Sequence, residues 1–509
     1  MKKQGQKGAA TLELLIAFAI LVLNITAVIL LISGGQSIYV DSETNTEAIA
    51  MAQELLEDAR ADAELDFGLV NNSSETEASG PLTYTKTLSV TQTEADLFTK
   101  KVTSTVSWPA EGGRNLIVEF TTLLTNPEAV DGGDTCSSVL SGDWTNPQMT
   151  SYEFGKDLVG DPSSGFPIGD IDINNSKLYV VVNNSNGNNM PTFFKLDVSE
   201  PSDPPNLLES MDNNPSIKTG LNSVAIADNY AYVANANKAN YTSCAVSLSC
   251  SQLQVIDTDS MSVIGKIKIP GVTGNGGQAI GTKVFYKDGI VYLGLAKTLA
   301  GPEFNVIDVG GGSAGGSPSN PVYLGGFSIG NGVNDIFVRD DYAYVASPND
   351  QELKVIKVSS PNFPFQVGQY NAPGGGGNNG NGKSLALVGN TLSLGRTLLN
   401  GNEFYILSAE EPETNLPVLG SKNITDEDGN NTSVNGIIVR DFLTFLLTND
   451  DFQVLEINDS TNPYTISEYA NPLPTPGGSG TTMDCEGNYI YFASLPSNDK
   501  GYIAKVTAD

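Results

Sequence analysis

The chain has 509 residues, including 53 glycines and 26 prolines, with 39% apolar residues; it is long enough for more than one domain and as turn-rich as all-β folds are. Its 27 Lys and Arg against 58 Asp and Glu leave a net charge of −31, which excludes the basic face that nucleic-acid binding requires. Histidine is absent, which removes Ser-His-Asp and Cys-His centres, histidine proton shuttles and His-ligated zinc.

Residues 1–8 (MKKQGQKG) are short and basic, and 9–32 are almost wholly apolar, broken near the start by Glu13. At about 1.5 Å per residue that run spans roughly 36 Å as a helix, enough to cross a bilayer. A secretory signal peptide fits poorly, because Glu13 lies inside the apolar region and Ser33-Gly34-Gly35 is a poor cleavage site. Beyond it, Ile38, Ile49, Ala52, Leu55, Leu56, Ala59 and Ala63 recur at helical spacing among polar residues. The reading is one long helix, a membrane or assembly segment over 9–35 followed by an amphipathic half. Three Thr/Val-rich strands follow at 81–91, 98–108 and 115–124, closing a small globular part over 36–126.

Lys7-Gly8 followed by Ala9-Ala10-Thr11-Leu12-Glu13-Leu14-Leu15-Ile16 resembles the prepilin N-terminus of type IV pilins and their secretion-system relatives. The resemblance implies a prepilin peptidase cutting between Gly8 and Ala9 and methylating Ala9. It also implies pairing of Glu13 with the N-terminal amine of a neighbouring subunit, after a membrane-held stage. Two charges in an apolar helix bundle are tolerable only as a pair. The family usually has Phe where Ala9 stands, and its frequent mid-helix Pro or Gly is missing here, where only Asn24 and Thr26 break the run.

After a linker over 127–144 the chain becomes self-similar. Aromatic-rich strands centre on Tyr179, Tyr232, Tyr292, Tyr344, Ser393, Thr444 and Tyr491, at spacings of 53, 60, 52, 49, 51 and 47. Each is followed by a second apolar strand and often by a third opened by proline. Short strands at a period near 50 indicate a propeller with four strands per blade. The Asp-Val-Ser and Asn-Pro-Val-x-Leu segments resemble bacterial surface propellers with LVIVD-type repeats. The last repeat lacks its outer strand, and the segment 146–154 is of the right type to supply it. The fold class expected is an α+β pilin module, a long N-terminal helix with a small antiparallel sheet, followed by an all-β seven-bladed propeller over 145–509.

Four cysteines suit an oxidising exterior. Cys244 and Cys250 share a loop and are expected to pair, leaving Cys136 to meet Cys485 and lock the ring. The long Asn/Gly-rich loops around Asn183, Asn235, Asn371 and Pro472 are the candidate binding loops, on the face pointing away from the N-terminal module. Asp426, Asp428 and Asn430 have the alternating oxygen donors of a calcium loop, without a twelfth acidic ligand because Ile437 stands there. No other cofactor and no catalytic residue are indicated. The expected protein is a non-enzymatic pilin-like subunit in an extracellular filament. It would be assembled with other pilin subunits and display a propeller for adhesion or recognition of an unknown surface ligand. A secretion pseudopilin and an uncleaved membrane-anchored binding propeller are the rivals within this class. A pair of carboxylates converging in the axial channel would bring back a hydrolase or lyase.

Overall fold

The computed structural model describes residues 44–63, 70–79, 82–93, 96–109, 114–125, 135–136 and most of 140–509. Outside the described residues lie 1–43 and, within the repeats, chiefly 184–189, 214–219, 237–250, 275–279, 374–380, 467–470 and 473–478. Gly8, Ala9, Glu13, Cys244 and Cys250 therefore fall outside them. The chain divides into two compact units, Met1–Pro127 and Glu128–Asp509.

In the first unit a helix over 44–63 buries Ala48, Met51, Ala52, Leu56, Ala59 and Ala63 on one stripe. Their spacing of three and four puts them on a single face, which packs on Tyr84, Leu88, Val102, Val106 and Trp108 of the sheet. Ser104 donates to the helix carbonyl of Ala52 at 2.8 Å, and Tyr84 to Glu47 at 2.9 Å. The sheet has four antiparallel strands rather than three, in sequential order: Ser73–Ser79, Leu82–Thr93, Asp96–Pro109 and Asn115–Thr125. The added edge strand, SSETEAS, has no apolar alternation to announce it. Glu75 and Glu77 on that strand reach one ammonium, Lys86, at 2.7 and 2.8 Å.

The expected fold class is overturned. The described chain is nearly all β, and besides 44–63 its helix is confined to the six-residue π-helical turn Phe154–Val159. Helix is the minor element because nearly every repeat contributes four strands of its own. Among the described residues no helix is long and apolar enough to cross a membrane.

The second unit consists of seven main antiparallel sheets. Six are built from consecutive strands within 168–211, 220–267, 281–327, 335–370, 382–422 and 434–465, here blades 1 to 6. Blade 7 takes Ser479–Gly487, Tyr489–Leu495 and Tyr502–Thr507 from the end of the chain and Gln148–Glu153 from its beginning. The innermost strands contact one another in order and blade 7 returns to blade 1, so the ring is closed. Closure leaves no unpaired sheet edge between the first and last blades.

Second strands are buried on both faces because a neighbouring blade covers each side: Val180, Val233, Leu293, Val345, Leu394, Phe445 and Phe492 are all 0% exposed. That is why they read as continuous apolar runs rather than as alternation. In blades 1 to 5 and 7 the hairpin after the inner strand turns through left-handed backbone, as at Asp288-Gly289 with φ of 49° and 76°. Within the stretch 127–144, read from sequence as linker, the described residues Cys136, Leu140 and Trp144 are packed. They belong to the core of blades 6 and 7, and Trp144 stacks edge-on against Phe445 at 4.8 Å.

Candidate functional site

The seven inner strands enclose an axial channel of about 540 Å³, within the size range of small-molecule sites. Six of these strands carry a bulge near their first residue, at Gly169, Asn222, Thr282, Lys383, Asn435 and Thr481. At Asn222, Thr282, Lys383 and Asn435 the extra residue aims its side chain along the ring, at the next blade. Asn222 thereby donates to the carbonyl of Gly281 on the next blade at 2.7 Å, and Thr282 to Val333 at 2.6 Å. Asn435 donates to Gly480 at 2.8 Å, and Asn334, at the same place on blade 4, to Gly382 at 2.7 Å. Lys383 donates to Asn435 at 2.7 Å, and burial lowers its pKa.

One residue deeper, carboxylates repeat the device. Asp170 accepts from Ile171 N–H on its own strand at 3.1 Å and from Val224 N–H on blade 2 at 3.3 Å, with the hydroxyls of Ser223 and Thr482 at 2.6 and 2.5 Å. Asp335 accepts from Ile336 N–H at 3.0 Å and from Leu385 N–H of blade 5 at 2.8 Å. Lys283 lies between these two acids, at 3.4 Å from Asp170 and 3.6 Å from Asp335. Burial alone would lower the Lys283 pKa, but Asp170, Asp335 and Asp484 more than offset it and hold the ammonium above the usual lysine range. Burial raises the Asp335 carboxyl, opposed by Lys283 and by the two backbone donors. Deeper still, Asp172 accepts from Ile226 N–H at 2.9 Å, and Asp484 from Cys485 and Ile173 N–H at 2.9 and 2.7 Å. Carboxylates thus do converge in the channel, and each one bonds the backbone of the next blade.

A second set of buried polar residues heads the third strands and holds the loops that cross from blade to blade. Thr192, Gln252, Glu303, Glu352 and Glu403 are each 3% exposed or less. They accept from the backbone N–H of Asn213, Ile269, Ile329, Ala372 and Ile424, at 2.9–3.0 Å. Glu352 also forms a buried ion pair with Arg396 at 2.8 Å. Sequence reasoning passed over this set, although its signal is regular: an acid or amide stands directly before Leu or Phe in Gln252-Leu253, Glu303-Phe304, Glu352-Leu353, Glu403-Phe404 and Asp451-Phe452.

The sequence-predicted positions are placed as follows. Cys136 and Cys485 are joined by a disulfide across 349 residues, beside a short parallel pairing of Thr135–Cys136 with Glu486 and Gly487. Asn183 is half-buried and donates to Asn222 Oδ1 at 2.7 Å, so it braces the channel mouth rather than a loop tip. Asn235 is fully buried in the second strand of blade 2. Asn371 is exposed, and Pro472 pairs with Asp451 at the edge of blade 6. The tips of those loops lie outside the described residues. Asp426 turns its carboxylate inward on its own loop, accepting from the backbone N–H of Asp428 at 3.0 Å and of Asn430 at 2.7 Å, and from the Asn430 amide at 3.2 Å. Among the described residues no acidic cluster is arranged to hold a metal ion.

The family model described as the LVIVD repeat matches residues 221–239 and 330–372, the first hairpin of blade 2 and the whole of blade 4. No curated protein matches the chain. Among solved structures, the WD40 domain of Neurospora crassa Pan2 is similar at 8% identity and TM-score 0.45, over 71% of this chain and 96% of that one. YCF48 bound to D1 peptide is similar at 10% identity and TM-score 0.45, over 73% of this chain and 99% of that one. A chain read as the extracellular domain of a B. thetaiotaomicron hybrid two-component system gives 9% and 0.45, over 87% of this chain and 64% of that one. The pilin resemblance at residues 7–16 receives no support from these comparisons. The chain matches the LVIVD repeat within blades 2 and 4, and the second unit is a β-propeller.

Proposed function

We infer that the protein is a recognition module, a rigid propeller that binds a ligand or partner at the cell surface without transforming it. The observation that carries this reading is the use to which the channel acids are put. Asp170, Asp335 and Asp484 each accept backbone N–H groups, one of them always from the next blade. A general acid or nucleophile has to exchange its proton or bonding partner during turnover, whereas these carboxylates hold the ring together and keep the channel open. Rigid scaffolds with loops at one rim suit recognition. The purified full chain is expected to bind saturably to cells that lack it; absence of saturable binding would remove the recognition reading.

Presentation at the surface is the finer part of the proposal. Its support is the short basic segment before Gly8 and the apolar run interrupted by Glu13. These fit cleavage by a prepilin peptidase and association with other pilin subunits, first in the inner membrane and then in an extracellular filament. Mass spectrometry of material sheared from the cell surface checks it. A methylated peptide beginning at Ala9 is expected, and a membrane-retained chain keeping Met1 to Gly8 would leave only an anchored binding propeller.

A further inference from the structure

We propose that the waist of the axial channel is a binding site for an organic cation with an apolar body, an alkylammonium or quaternary ammonium group. This rests on the recognition reading and names the chemistry of its ligand. The residues two places below Lys283 and its equivalents decide it. From blade 2 to blade 6 they are apolar, Ala225, Phe285, Phe337, Ala386 and Ile438, and all line the cavity. At blades 7 and 1 the same layer is completed by Asp484 and Asp172. In a ring of seven, blade 4 lies across from the junction of blades 7 and 1, so Phe337 stands on the opposite side of the ring from the two carboxylates. Phe285 is beside it, with ring centroids 5.3 Å apart.

An apolar arc with two aromatic rings opposite a pair of acids matches a ligand with hydrocarbon around a positive centre. The rings attract the cation through their quadrupole and the carboxylates through charge. The backbone N–H groups of Ile226, Ile173 and Cys485 fix the two carboxylates in place. The whole channel lining carries Asp170, Asp172, Asp335 and Asp484 against Lys283, Lys383 and Arg440, which leaves a small negative excess. The chain around it carries −31, so the field draws cations toward the opening and repels anions.

The test uses choline as probe and the full chain as receptor, read by calorimetry and saturation-transfer NMR. The control ligand is 3,3-dimethylbutan-1-ol, which has the same shape without the charge. Choline is expected to bind with a dissociation constant on the order of 1 mM, and the neutral isostere at least about tenfold more weakly. Phe337→Leu keeps an apolar side chain but removes the ring, and is expected to weaken choline roughly three- to tenfold. Asp172→Asn keeps an oxygen for Ile226 N–H and is expected to weaken it about tenfold, with both variants retaining the wild-type melting temperature within a few degrees. Leu299→Ser, on an exposed hairpin outside the channel lining, is expected to leave binding unchanged. Equal binding of choline and its isostere, unchanged affinity in Asp172→Asn, or no saturation at ten times the expected constant would each overturn the proposal. If that happened while the chain still bound cells saturably, recognition would stand and pass to the rim loops.

Discussion

Asp451 heads the third strand of blade 6 and is 2% exposed. Burial pushes its carboxyl up to about 6, against hydrogen bonds from Thr448 and Gln453 that favour the charged form. From the ordinary value of 3.8 up to about 6 the folded protein keeps a proton that the unfolded chain releases. The contribution is therefore fully present below the lower value and is lost as pH rises through about 6. The penalty on the charged form is on the order of 3 kcal/mol. Asp451→Asn is expected to gain stability relative to wild type at pH 7.5 and to lose that advantage near pH 4, read from urea midpoints at the two values. A difference independent of pH would show that Asp451 is not the titrating group. Glu352 of blade 4 belongs to the same set of loop-holding residues, and removing either partner of its ion pair with Arg396 would strand a buried charge. The sequence makes such acids visible as a period near 50, but their burial follows from the next blade covering them.

Blade packing is set by a pattern in the fourth strands. Gly265, Gly325, Gly368 and Gly420 each follow an apolar residue at a bulge, Ile264, Leu324, Val367 and Leu419. A Cβ at these glycines would lie 2.0, 2.6, 2.3 and 1.7 Å from a backbone oxygen of the following blade. The missing side chain lets the outer turn of one blade close on the outer strand of the one before it. Gly420→Ala is expected to destabilise the propeller by about 1–3 kcal/mol, since the blocking atom is backbone and cannot rotate away. Chemical denaturation measures this, and an unchanged midpoint would mean the blades can separate there without cost. The apolar-glycine pair recurs in the sequence, but nothing in the sequence says that another blade occupies the space. The strand Ser73–Ser79 was hidden because it has no apolar alternation: it is held by its backbone ladder to Leu82–Thr93, with Glu75 and Glu77 on Lys86.

At the scale of the molecule, ring closure joins the ends of a long stretch of chain. Gln148–Glu153 completes the sheet of blade 7, and the Cys136–Cys485 bridge ties the same region across 349 residues. Cross-linking so large a loop restricts the unfolded chain and stabilises by roughly 2–5 kcal/mol. The double variant Cys136→Ser with Cys485→Ser is expected to lower the unfolding free energy by that amount under oxidising conditions and to match reduced wild type. If reduction left the transition where it was, strand pairing alone would account for closure.

The sequence by itself determined the propeller and the period of its repeats, because each repeat is a local unit with its own strands and turns. It also misled, making a long helix the organising element of the N-terminal unit, where the described residues are mostly sheet. Only the tertiary structure decided the channel. Asp172, Asp484 and Phe337 are separated by up to 312 residues in the chain and have no local pattern in common. They share one cavity because seven inner strands close into a ring, and the closing of a ring is a property of all the blades together.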